Sequence, residues 1–121
     1  PPRADVFGAV KECKSAGIKV IMITGDHPAT AENIGRQLGI LDQEDRPVMT
    51  GKDMKDYDHL SEDEKDHWVG ATVFARVSPK QKLDLVNVLQ DRKHIVGMTG
   101  DGVNDAPALK KSDIGIAMGL R

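Results

Sequence analysis

Aromatic side chains are scarce in this chain: Trp68, Tyr57, Phe7 and Phe74 are the only four among 121 residues. A core must therefore be assembled from Val, Ile, Leu, Ala and Met, which suits a sheet covered by helices. Cysteine is rarer still. Cys13 stands alone, which excludes an intrachain disulfide framework or a Cys-based metal cluster and suits a reducing, cytosolic compartment. No apolar run approaches the roughly 18–20 residues that span a bilayer, and Pro1 opens no signal-peptide pattern. An excess of positive charge is also lacking. A net charge of −2 gives no footprint for a nucleic-acid partner.

The charge that is present is unevenly spread. Residues 42–67 hold ten acidic groups against four basic ones, so that stretch is net −6 and, with the whole chain at −2, the remainder is +4. A mildly positive body carrying an acidic insertion, about residues 41–70, fits a domain that handles an anion such as phosphate. A solvated acidic excursion explains the insertion itself equally well.

Four apolar runs read as buried strands: Ile18–Ile23, the weaker Ala71–Phe74, His94–Met98 and Ile114–Met118. Near-continuous apolar character is expected of parallel strands covered on both faces. Helical spacing joins Val6, Ala9, Val10 and Cys13, with Gly17 as a stop, and Ala31, Ile34 and Leu38, with Pro28 early and Gly39 late. A third helix opens at Ser78-Pro79-Lys80-Gln81, where Ser78 and Gln81 form a capping box, and its apolar stripe includes Leu83, Val86 and Leu89. Ser61 and Glu64 repeat the capping box inside the acidic insertion. Met22, Met98 and Met118 read as core filling. Alternating helix and strand predicts an α/β domain with a parallel sheet and ligands beyond the carboxyl ends of the strands.

Two Thr-Gly-Asp turns fall at such ends. In Thr24-Gly25-Asp26-His27-Pro28, Gly25 permits a tight turn, the Thr24 hydroxyl can donate to a phosphate oxygen, and the following helix directs its positive end at the same spot. Turn geometry alone, with Thr24 or Asp26 as a helix cap, accounts for this pentapeptide about as well. The run from Thr99 to Asp105 is more specific. Asp101 and Asp105 are hard oxygen donors of the kind Mg²⁺ prefers. Asp101 reads as a ligand, Asp105 as a partner for a bound water or for Asp101, and Asn104 as an amide donor to phosphate. An EF-hand is excluded by the missing alternating oxygen ligands and distal Glu. Lys82 can bring an ammonium to a transferred phosphoryl group, although by spacing alone Lys80 qualifies equally. Arg76 reads either as a ligand clamp or as a surface charge. His27, His59, His67 and His94 show no ligand spacing.

Together, Met22–Pro28, Phe74–Lys82 and Met98–Leu109 resemble the P-type cation-transporting ATPases, in the family's order and over nearly the whole chain. The long acidic excursion before Phe74 is similar to that of type II cation pumps. The resemblance implies a Rossmann-like three-layer sandwich of the haloacid-dehalogenase type and an ATP-driven pump that forms an aspartyl-phosphate. It also implies roles for single residues. Thr24 and Lys82 contact the phosphoryl group, Gly25 and Asp26 line the phosphate pocket, and Arg76 approaches the ribose of ATP. Asp101 binds Mg²⁺, Asn104 touches phosphate, and Asp105 supports the site. The expected partners are ATP, phosphate and the other domains of a parent pump, at the cytosolic face of a membrane.

One departure stands out. The family's Asp-Lys-Thr-Gly-Thr segment, which carries the phosphorylated aspartate on the central strand, occurs nowhere in residues 1–121. The expectation is a partial phosphorylation domain, inactive alone, whose two halves pair directly, leave unpaired edges, or recruit a strand from another chain. Unpaired edges would favour self-association. A free-standing phosphatase of the same fold and a non-catalytic Mg²⁺- or phosphate-binding module are the alternatives.

Overall fold

The computed structural model describes residues 4–41, 48–95, 97–100, 107, 111 and 114–117. They fall into two units, Pro1–Asp53 with Gly70–Val77, and Met54–Val69 with Ser78–Arg121.

In the first unit, α1 (Ala4–Ser15) leads to β1 (Met22–Thr24), α2 (Pro28–Gln37), the short β2 (Met49–Thr50) and β3 (Val73–Ala75). The three strands form a parallel sheet in the order β1-β3-β2. Ile23 of β1 and Met49 of β2 both stand opposite Phe74. The middle strand is the one whose apolar run is weakest in the sequence, and Val73, Phe74 and Ala75 are all buried. Around them Val10, Ala31, Leu38, Ile40 and Leu41 complete an aliphatic core, as the shortage of aromatics requires. Gly35 permits a close approach here, because a Cβ on it would lie 3.0 Å from Val73 Cγ2.

Both helices of this unit end in the same way. Gly17 takes φ +81° and Gly39 takes φ +76°, backbone values that cost a glycine little. The next residue then reaches back: Ile18 N–H donates to Cys13 O at 2.9 Å and Ile40 N–H to Gly35 O at 2.9 Å. This corrects the first strand. Ile18 belongs to the end of α1 and is 56% exposed, so the run beginning there contributes only its last two residues, with Thr24, to the sheet.

In the second unit, α3 (Glu62–Gly70) and α4 (Pro79–Asp91) precede β4 (Gly97–Gly100) and β5 (Ile114–Ala117), which pair in parallel. Pro107 and Lys111, between these strands, are helical. His94 N–H closes the end of α4 onto Leu89 O at 3.1 Å. The predicted strand from His94 therefore begins at Gly97, and Ile95 is 83% exposed. Among the described residues no ladder joins β4–β5 to the three-stranded sheet. Met118 lies outside them.

Both capping boxes are present. Ser78 Oγ accepts from Gln81 N–H at 3.2 Å while Gln81 Oε1 accepts from Ser78 N–H at 3.0 Å. Ser61 and Glu64 exchange the equivalent bonds at 3.1 and 2.9 Å. The apolar face of α4 keeps Val86 and Leu89 of the predicted stripe and adds Leu85 and Val88. Leu85, Val86, Val88 and Leu89 are buried, and Leu83 is half-buried.

The acidic insertion is more than a solvated excursion. It contributes β2 to the sheet of the first unit, and in the second unit it buries Met54 and Trp68. Arg92, the residue that caps α4, donates to Asp66 and Glu62, each at 2.8 Å, and Lys65 pairs with Asp91 at 3.2 Å. Exposed pairs of this kind contribute little singly and more as a network.

Glu64 supplies a pH test. Lys55 at 2.8 Å, and next the Ser61 N–H, hold its carboxyl at about 2, against an ordinary 4.5. The folded value lies below the unfolded one, so this contribution is complete above about pH 4.5 and is lost as pH falls through about 2. Amide exchange across α3 should accelerate over that interval, and Glu64→Gln should flatten the profile. An unchanged profile would show that this pair does not set the helix's acid stability.

Candidate functional site

The carboxyl ends of β1, β3 and β2 place Thr24, Ala75 and Thr50 side by side in register. Thr24 is half-buried, whereas Gly25 and Asp26 are exposed. The Thr24 hydroxyl accepts the Asp26 N–H at 3.1 Å. A hydroxyl that accepts one bond still carries its own proton, so Thr24 can donate to an oxygen placed beyond the strand. A Cβ on Gly25 would meet nothing within 4 Å, so the turn opens to solvent.

Two features of this turn were not legible beforehand. The cap of α2 is His27, whose Nδ1 accepts from Ala29 N–H at 3.2 Å, rather than Thr24 or Asp26. Arg76 takes φ +58°, a left-handed conformation that an arginine adopts only at a cost. Its N–H donates to Thr24 O at 2.9 Å. Arg76, exposed, is thereby fixed to the same turn from the neighbouring strand. Strained backbone of this kind concentrates at functional sites. A further residue that sequence reasoning missed is Asp53, whose Oδ2 accepts from the Thr50 hydroxyl at 2.6 Å. A Thr-Gly pair opening Thr50-Gly51-Lys52-Asp53 was the available signal.

Thr24, Gly25, Asp26 and Arg76 are thus brought together in the first unit. Lys82 belongs to the second, half-buried in the opening turns of α4. Lys80, which spacing could not separate from Lys82, is held by carboxylates. Its Nζ lies 2.7 Å from Asp56 Oδ1 and 2.9 and 2.7 Å from the two oxygens of Asp84. These bonds, Asp56 first and Asp84 second, push the Lys80 ammonium above its ordinary range, and Lys80 in turn lowers Asp56. Asp101, Asn104 and Asp105 lie outside the described residues. Thr99 and Gly100 are the last two residues of β4, so Asp101 follows a parallel strand directly. Among the described residues no group of three His, Cys, Asp or Glu side chains could hold a metal ion.

Two Thr-Gly-Asp sequences at the ends of parallel strands in an α/β chain point to a class, and the comparison of families agrees. The model of haloacid dehalogenase-like hydrolases matches residues 1–113, and the chain belongs to that family. Among individual proteins it is similar to the endoplasmic reticulum calcium ATPase srcA of Aspergillus fumigatus, 52% identical over 98% of this chain and 12% of that protein. The calcium-transporting ATPase of Bacillus subtilis is 51% identical over 99% of this chain and 13% of its own length. The sodium/potassium-transporting ATPase alpha subunit of Tetronarce californica is 46% identical over 99% of this chain and 14% of its own. The chain thus spans about one eighth of the curated relatives it matches.

Proposed function

We propose that this chain is part of the phosphorylation domain of an ATP-driven cation pump that works through an aspartyl-phosphate, at the cytosolic face of a membrane. The observation that carries the reading is the Thr24-Gly25-Asp26 turn, tied to a strained Arg76 at the carboxyl ends of parallel strands. Its similarity to cation-transporting ATPases over 98–99% of its length supports the same reading.

In this reading Thr24 donates its hydroxyl proton to an oxygen of the transferred phosphoryl group, and Gly25 and Asp26 form the floor against which that group rests. Lys82 neutralises charge that accumulates there, and Arg76 meets the ribose of ATP. Asp101, supported by Asp105, is a hard-oxygen donor suited to Mg²⁺, and Asn104 contacts phosphate. When bound, Mg²⁺ would offset the negative charge of the phosphate oxygens. The carboxylate that receives the phosphoryl group belongs to a segment absent from residues 1–121, so this chain alone completes no turnover.

In a full-length pump carrying these residues, Asp101→Asn should reduce Mg²⁺-dependent phosphoenzyme to background. Lys82→Ala should slow its formation by roughly 10²–10³-fold, the usual cost of one charge-stabilising group. Normal phosphoenzyme from both variants would overturn the assignment. The chain by itself should take up no acid-stable label from ATP.

A further inference from the structure

Asp84 is a charged side chain that α4 buries: only 5% of it is exposed. A buried carboxylate requires partners, and both its oxygens bind Lys80, with Oδ2 also accepting the Tyr57 N–H at 3.4 Å. Lys80 then extends to Asp56. Two carboxylates from separate parts of the sequence, Asp56 and Asp84, meet on one ammonium group. Lys80 itself stands in the first turn of a helix, where the dipole disfavours a cation, and it precedes its acidic partner by four residues, the weaker order for such a pair. Neither local rule favours this lysine. The buried carboxylate and Asp56 compensate for both.

We propose that Asp84 is a positioning residue that, with Asp56, withdraws Lys80 from anion binding and fastens the Asp56–His59 turn to the start of α4. Lys82 is then the amine at this helix end that meets phosphate, a clause that rests on the phosphoryl-transfer reading above. Asp84 thereby keeps the Lys80 ammonium, two positions before Lys82, in an ion pair.

Brief acetylation of the whole chain with an N-hydroxysuccinimide ester, followed by mass spectrometry, reads each lysine separately. Lys80 should react about tenfold more slowly than the exposed Lys52, the effect of one unit in amine basicity. In Asp84→Asn its rate should rise toward that of Lys52. Should that variant lose its fold, as judged by Trp68 emission, Asp56→Asn alters an exposed position and should produce a smaller rise in the same direction. The proposal is overturned if Lys80 matches Lys52 in the unaltered chain, or fails to accelerate in every folded variant. Inorganic phosphate separates the two claims. Protection of Lys82 and not Lys80 supports both. Acceleration of Lys80 in Asp84→Asn with neither lysine protected upholds the Asp84 clamp and removes the phosphate reading.

Discussion

Phe74→Ala should cost about 3–5 kcal/mol, a large share of a total stability that is typically about 5–15 kcal/mol. Phe74 is fully buried at the middle of the middle strand, with Ile23 on one side and Met49 on the other. Its cross-strand neighbours, Ile23 and Met49, carry no ring to fill the space it leaves. Truncation therefore loses both the transfer free energy of the ring and the contacts around the cavity. Urea unfolding measures the cost. Phe74→Leu, which keeps most of the volume, should lose about 1–1.5 kcal/mol. Equal losses for the two variants would mean that ring volume is not what β3 depends on.

Trp68→Ala should cost a similar 3–5 kcal/mol by the same argument, although the residue lies in the most acidic part of the chain. It is 2% exposed, while its neighbours on α3 at Asp63, Asp66 and His67 are exposed. The comparison with Asp63→Ala is decisive: a surface substitution there should stay within about 0.5 kcal/mol. If the insertion were held by its ion pairs alone, the two variants would differ little. Because Trp68 is the only tryptophan, its emission in the unaltered chain reports the burial independently.

What could be read from the sequence was local. Ser78 with Gln81, Ser61 with Glu64, and the glycines at 17 and 39 each announce a helix end within a few residues, and each end is where it was expected. The beginnings of the first and third apolar runs were not legible, because Ile18 and His94 reach back to close the preceding helices, whereas Ile114 opens β5 as expected. The importance of β3 was hidden for a different reason. A strand is central by virtue of the strands beside it, and one of these, Met49–Thr50, is a two-residue element among charged neighbours. At the site, the Thr24-Gly25-Asp26 turn was legible from its composition. The left-handed Arg76 was not, since nothing in the residue type predicts a positive φ. That Lys80 is held by Asp56, 24 residues away, could not be read either, because no spacing rule connects them.

The clasp between the insertion and α4 also bears on how such a chain can change over generations. Lys80 serves Asp56 and Asp84, Arg92 serves Glu62 and Asp66, and Lys65 serves Asp91. A charge lost from the insertion deprives its partner at the helix of an ion pair, as Asp91 would lose Lys65. Substitutions in this region should therefore be accepted in pairs, so that lineages drift by exchanging whole contacts.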